Sequence, residues 1–157
     1  MARALDEIDV RLLGELQRDA DRPNVELARL VGLSPAATLN RVRRLKESGV
    51  IRGISARLDS RAAGFPLQVY VLVTLARHEV AATKRFRDTV ARLPHIIAAD
   101  EVTGDVDAVL MVVARDVAEL QVVLASLSTR GGATRLITLL RLDEIKPSTP
   151  LPLAAGS

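Results

Sequence analysis

The sequence predicts an α+β chain in two parts, and three observations carry the prediction. Through residue 49 the apolar residues recur only at helical spacing, with breaks at Pro23 and Gly32. Beyond residue 66, β-branched runs of strand length alternate with stretches of helical period. Positive charge also collects on one short segment: residues 34–49 hold Arg41, Arg43, Arg44 and Lys46 against Glu47 alone.

Residues 5–20 read as a first helix. Ile8, Leu12, Leu13 and Leu16 share a face, and Asp6, Glu7 and Asp9 occupy a first turn where the helix dipole favours carboxylates. Asp21-Arg22-Pro23 ends it. A second helix begins at Asn24, a candidate N-cap, with Val25, Leu27, Ala28 and Val31 as its apolar face. Gly32 offers the left-handed position that stops a helix, and Leu33 returns to the core. Ser34-Pro35 restarts the chain with a capping hydroxyl and a proline at the first helical position. In this third helix Leu39, Val42 and Leu45 are expected in the core, Asn40, Arg41 and Arg44 outside, and Gly49 at the stop. Two helices joined by a tight turn, the second with a basic outer side, make a helix-turn-helix, so the third helix is expected to read DNA. A unit this small has little core of its own and should lean on the rest of the chain or on a partner.

In residues 50–59, Ile54, Ala56 and Leu58 alternate with Ser55 and Arg57, which predicts an extended strand serving as a wing or a connector. After a boundary at 60–66, strands are expected at 67–76, 96–102, 106–114 and 134–142. Helices are expected at 79–93 (Ala82, Phe86, Val90 and Leu93 on one face) and 116–128 (Val117, Leu120, Leu124 and Leu127). Thr103-Gly104-Asp105 reads as a turn and Gly131-Gly132 as a break. The order β-α-β-β-α-β is the ferredoxin-like sandwich. The expected organisation is therefore a DNA-binding domain over residues 1–52, a strand linker over 53–65, a ferredoxin-like domain over 66–147 and a flexible tail over 148–157.

Two helices on one face of a four-stranded sheet leave the other face bare, and here the strands are apolar on both sides. Val109, Met111 and Val113 interleave with Val106, Ala108, Leu110 and Val112; Tyr70 and Leu72 with Val69, Val71, Val73 and Leu75; Ile137 and Leu139 with Leu136, Leu140 and Leu142. Such strands need cover from two directions. A second copy packed back to back about a twofold axis provides it, which predicts a homodimer with Tyr70 in the dimer sheet. Cover by the N-terminal helices is the alternative, disfavoured by how little apolar surface those helices have to spare.

Of the 157 residues 48% are apolar, ample for a folded core. The absence of cysteine removes disulfides, thiolate metal sites and cysteine nucleophiles, and two histidines, His78 and His95, are scant material for zinc or a triad. Both histidines, and the pair Asp143-Glu144, are expected to be ordinary surface residues. Neither a secretory signal nor a run of roughly 20 apolar residues is seen, so a cytoplasmic protein with no membrane partner is expected. Asp100, Glu101, Asp105 and Asp107 form an acidic cluster able to hold a metal, but no nucleophile or base accompanies it; no metal and no catalysis are expected.

The opening LDEIDVRLLGELQRDADR, the block ELARLVGLSPAATLNRVRRLKESGVIRGISARLD and the turn TGDVD before an apolar strand together resemble the Lrp/AsnC family, the leucine-responsive or feast/famine transcriptional regulators. The resemblance covers nearly the whole chain. It implies a winged helix-turn-helix joined by a short strand to a ferredoxin-like RAM effector domain. It also implies dimers that assemble into tetramers or octamers, and an amino-acid effector held near the Thr-Gly-x-x-Asp turn at contacts between dimers. Carried over by position, the effector site comprises Thr103, Gly104, Asp105 and Asp107, with Thr138 on the facing strand. A glycine turn exposes N–H groups to a carboxylate while an aspartate holds an ammonium, which suits a zwitterion. The chain departs from the family pattern at Asp100 and Val106, where an aromatic is common, and at Leu136, where a threonine is common.

On double-stranded DNA, Ser34, Ala37, Asn40, Arg41, Arg43, Arg44 and Lys46 form the expected contact set. Ala37, Asn40, Arg41 and Arg44 face the major groove, with Asn40 suited to adenine and Arg41 to guanine or either of them equally to a phosphate, while Arg43 and Lys46 clamp phosphates. Thr38 is open to either role. The rival reading is an architectural DNA-binding protein with no effector.

Overall fold

The structure, a computed structural model, describes residues 5–76 and 80–154. His78 therefore lies outside the described residues. The chain divides into two compact units: residues through Ala56 together with Lys146 onward, and Arg57–Ile145. No helix among the described residues is long and apolar enough to cross a membrane.

The helical unit is built from α1 (Glu7–Arg18), α2 (Asn24–Val31) and α3 (Pro35–Glu47). The acidic start of α1 is a capping box: the Asp9 N–H donates to Asp6 Oδ1 at 2.8 Å, and Asp9 answers on the Asp6 N–H. Gly32 closes α2 at φ +72°, a backbone conformation that costs glycine little, and the Leu33 N–H returns to the Ala28 carbonyl. The core is Leu12, Leu13, Leu27, Val31 and Leu45, flanked by Leu16, Leu33 and Val42.

Four expectations fail in this unit. Asn24 is not an N-cap: the cap position is Pro23, and the Asn24 side chain donates to the Pro35 carbonyl at 2.9 Å, tying α2 to the start of α3. Val25 consequently points outward. Residues 52–58 form no strand and enter no ladder of the sheet, so the expected wing strand is an extended segment outside any sheet. A strand needs a ladder partner, and the alternation of Ile54, Ala56 and Leu58 does not supply one. The tail over 148–157 is not frayed through its described part. Leu151 exchanges hydrogen bonds with Gln17, its N–H donating to Oε1 at 2.6 Å, and Leu153 packs on the helical core. The support that a small three-helix core needs comes from the chain's own end.

The sheet unit follows the predicted order: β1 (Leu67–Leu75), α4 (Val80–Arg92), β2 (Ile96–Glu101), β3 (Ala108–Ala114), α5 (Val117–Thr129), β4 (Ala133–Leu140). The strands lie in the order β2-β3-β1-β4, all antiparallel. Val69, Val71 and Val73 stand opposite Val112, Leu110 and Ala108, and this row forms the core beneath Phe86, Val123 and Leu127 of the helices. Val117 was expected on that inner face of α5 but is exposed. The other face carries Tyr70 and Leu72 opposite Met111 and Val109, with Leu139 and Ile137 beyond them. On this side Tyr70 and Leu139 remain 36% and 47% exposed.

Two further expectations change here. His95 is not an ordinary surface residue: its Nε2 stands 3.1 Å from Glu119, and its ring meets Phe65 edge-on. Arg115 donates to the same Glu119 through its guanidinium and its backbone N–H, and those bonds hold the Glu119 carboxyl down to about 2. Glu144 is ion-paired with Arg141 at 2.9 Å rather than simply solvated.

Candidate nucleic-acid interface and effector turn

The face that α3 presents is decided by what its opposite side packs against. Ser34 caps the helix, its Oγ accepting from the Ala37 N–H at 3.2 Å, and Pro35 opens it. Thr38 is fully buried, with its hydroxyl donating to the Ser34 carbonyl at 3.0 Å. Leu45 is buried and Val42 half-buried beside it. The inward face is thus Thr38, Arg41, Val42 and Leu45, an i, i+3, i+4, i+7 set. Leu39, expected in the core, is 50% exposed. Steps of three residues each fall about 60° short of a full turn, so Leu39, Val42 and Leu45 cannot all face inward.

The same phase turns Arg41 toward α1 and away from the outward row. Its Nη1 lies 2.6 Å from Asp6 Oδ2 and 2.7 Å from Asp9 Oδ1, and its side chain is only 22% exposed. The guanidinium holds the Asp6 carboxyl below the ordinary carboxylate range, and the two carboxylates raise Arg41 in return. Asp9 is itself buried, so withdrawing Arg41 would strand a carboxylate away from water. The expectation that Arg41 reads guanine is corrected: it ties α3 to the first turn of α1.

Outside that face stand Ala36, Leu39, Asn40, Arg43 and Arg44, with Lys46 on the flank, all exposed. Ala37 is half-buried at the margin and Ser34 is exposed at the cap. Asn40, Arg43, Arg44 and Lys46 have no side-chain partner among the described residues, so their donors are unspent. Leu39 and Ala36 were missed by sequence reasoning, although the i, i+3, i+4, i+7 template beginning at Thr38 contains the signal.

The turn between β2 and β3 is as expected in shape. Gly104 adopts φ +119°, and Thr103 and Asp105 are exposed on either side. The Val102 N–H donates to the Asp107 carbonyl at 3.1 Å, and the Asp107 N–H to the Val73 carbonyl at 2.8 Å. The Asp107 carboxylate accepts from the Leu75 N–H at 2.7 Å, so it anchors the turn to the end of β1. Thr138 stands opposite Val71 in mid-β4, two strands from β3 with β1 between them, and no hydrogen bond joins it to the turn within one subunit. The structure therefore brings Thr103, Gly104, Asp105 and Asp107 together and leaves Thr138 apart.

The acidic cluster is dispersed by the same contacts. Glu101 is held by Arg87 through two hydrogen bonds of 2.8 and 2.7 Å, which lower its pKa, while Asp107 holds the turn. Among the described residues no three His, Cys, Asp or Glu come together in a way that could hold a metal ion.

Comparison with known proteins bears on both sites. The AsnC-type helix-turn-helix domain matches residues 5–46, and the Lrp/AsnC ligand binding domain matches residues 68–151. A leucine-responsive regulatory protein of Haemophilus influenzae is 36% identical, covering 96% of this chain and 92% of its own length. Its Escherichia coli namesake is also 36% identical, over 94% and 90%. Among solved structures, a transcriptional regulator of Neisseria meningitidis in complex with L-methionine superposes with a TM-score of 0.86 at 30% identity, covering 94% of this chain and 96% of that one. A feast or famine regulatory protein of Mycobacterium tuberculosis, also complexed with L-methionine, gives 0.81 at 30% identity, over 92% and 96%. With both domains matched in order and relatives similar along nearly their whole length, this chain belongs to the Lrp/AsnC family of transcriptional regulators.

Proposed function

We propose that this chain regulates transcription as a homodimer whose two α3 helices address successive half-sites of an operator, and that an amino-acid effector shifts its assembly among dimer, tetramer and octamer. The observation that carries the reading is the outward row of α3. With Thr38, Arg41, Val42 and Leu45 turned inward, Leu39, Asn40 and Arg43 are left facing out with their polar groups unspent. Asparagine pairs bidentately with adenine, arginine with guanine, and an apolar side chain meets a thymine methyl. At 100° per residue Arg43 stands nearer the middle of the outward face than Arg44, so the roles expected of the two exchange: Arg44, Lys46 and the Ser34 cap serve the phosphates.

The uncovered apolar face of the sheet, centred on Tyr70, Leu72, Val109 and Met111, supports a twofold partner. Two inverted half-sites, one for each α3, then follow from the twofold symmetry. Methionine in complex with two relatives supports an amino acid as effector class. Gly104 leaves backbone N–H groups open to its carboxylate and Asp105 offers an oxygen to its ammonium, while Asp107 keeps the turn in place. Thr138 joins such a site only if a second subunit supplies it. A ligand bound between dimers shifts assembly because it binds one oligomer better than another, and so changes how many reader helices meet one stretch of DNA.

The test is a thermal-shift screen against the twenty amino acids, with sizing of every hit on and off DNA. One or more amino acids are expected to raise the melting temperature and change the oligomer. DNA binding with no response to any of them would favour the architectural reading instead.

A further inference from the structure

The sheet unit carries a second concentration of positive charge, on its helical layer. α4 holds Lys84, Arg85, Arg87 and Arg92 against Asp88 alone, the same tally as α3. Arg87 is spent on Glu101. The other three line a groove of about 510 Å³ with Ala81, Asp88, Thr89 and Leu93, closed from α5 by Ser126 and Arg130. Lys84 shares Asp88 at 2.8 Å. Arg85 and Arg130 have no ion-pair or side-chain hydrogen-bond partner among the described residues, and Arg92 has only the field of Asp88.

Arg85 reaches the turn that follows α5, and Arg130 lines the same groove. A Cβ built on Gly132 would stand 2.7 Å from Arg85 Nη2, so the guanidinium lies across the Gly131–Gly132 turn, beside Arg130 at the C-cap of α5. The C-terminal end of α5 offers about half a negative charge there, too little for two guanidinium ions. Arg92 stands seven residues along α4, about 10 Å from Arg85. One monoanion cannot satisfy both ends of such a groove, whereas linked phosphates can, and guanidinium forks match their oxygens bidentately. The Thr89 and Ser126 hydroxyls donate to the Arg85 and Val122 carbonyls, which leaves the cations to do the recognition. A concave groove within the usual size range of small-molecule sites suits a compact ligand better than a duplex.

We propose that the α4–α5 groove binds a small molecule bearing two or more linked phosphates, a site separate from both the reader helix and the effector turn. Its partners are Arg85 and Arg130 at one end, Lys84 beside them and Arg92 at the other.

The experiment is calorimetric titration of the full chain with sodium tripolyphosphate at fixed ionic strength, for wild type and for Arg85→Gln/Arg130→Gln. Both residues are exposed, so the double variant should keep the wild-type melting temperature. Saturable binding of one equivalent per chain is expected, at least tenfold weaker in the double variant, with duplex DNA affinity the same in both. Heats no greater than those of chloride at matched ionic strength would overturn the proposal, as would undiminished binding by the double variant. A loss confined to DNA affinity would also overturn it, marking the groove as a clamp for duplex backbone. Lys84→Gln should weaken tripolyphosphate binding by a smaller factor, and no effect of that change would count against the assigned partners.

Discussion

The helical unit and the sheet unit solve the same problem with different materials. The sheet buries one continuous row, Val69, Val71, Val73, Leu110 and Val112, under two helices, and its stability follows from a period-two pattern read straight off the chain. The helical unit buries only five residues fully in its apolar cluster, and makes up the difference with polar ties over long sequence distances. Arg41 reaches Asp6 and Asp9, Asn24 reaches Pro35, and Gln17 holds Leu151. An apolar row specifies a fold through many weak contacts of one kind. A tie specifies it through two or three atoms, so a single substitution in the helical unit can change which face of α3 meets solvent.

The largest effect that would sharpen this comparison is truncation of each core. Leu110→Ala and Leu12→Ala both empty fully buried sites and should each cost about 2–5 kcal/mol. In denaturant unfolding, Leu110→Ala should lower the transition of the sheet unit and Leu12→Ala that of the helical unit. If each change lowered both transitions equally, the two units would be one cooperative body. Next comes Leu72→Lys, which places a charge on the uncovered sheet face. Size-exclusion chromatography with light scattering should show the proposed dimer in wild type and monomer in the variant, and a variant dimer like that of wild type would move the interface elsewhere.

Arg41→Ala should cost about 1–3 kcal/mol, because it leaves buried Asp9 without its cation. The tie also predicts an acid limb. Since Arg41 depresses the Asp6 carboxyl in the fold, its contribution is present at neutral pH and is lost as pH falls below about 4. The stability gap between wild type and Arg41→Ala should therefore narrow in acid, and a gap constant from pH 7 to pH 2 would break the assignment. The smallest effect is Gly32→Ala, about 1 kcal/mol for forcing a side chain into the left-handed region at φ +72°, measured by melting.

Legibility divides along the same line. Every strand and helix of the sheet unit lies within about two residues of where period alone places it, since alternation and i, i+3, i+4 spacing are local signals. The late start of β3 at Ala108 has a tertiary cause: Asp107 spends its backbone and carboxylate on the end of β1. In the helical unit the caps Gly32 and Ser34 were readable because capping is local too, whereas Asp6, read only as a first-turn acid, proves to be the cap of α1. The phase of α3 was misread because Thr38 fills a fully buried position through a hydroxyl bond that apolar counting passes over. Arg41 was misassigned because its partners lie 32 and 35 residues away and no periodicity records them. The docking of Leu153 escaped for the same reason. At the turn between β2 and β3 the shape was legible, whereas the spending of Asp107 on Leu75 and the distance of Thr138 depend on strand register.

α3 turns Arg41 inward and Arg43 outward, and duplex affinity and melting temperature measured together for Arg41→Ala and Arg43→Ala separate the two roles, using a sequence selected from a random pool by the wild-type protein. Arg43→Ala should bind about 5- to 150-fold more weakly at unchanged melting temperature, the 1–3 kcal/mol of a lost base contact. Arg41→Ala should melt lower. An Arg43→Ala variant that binds like wild type, beside an Arg41→Ala variant of full stability that no longer binds, would contradict the account.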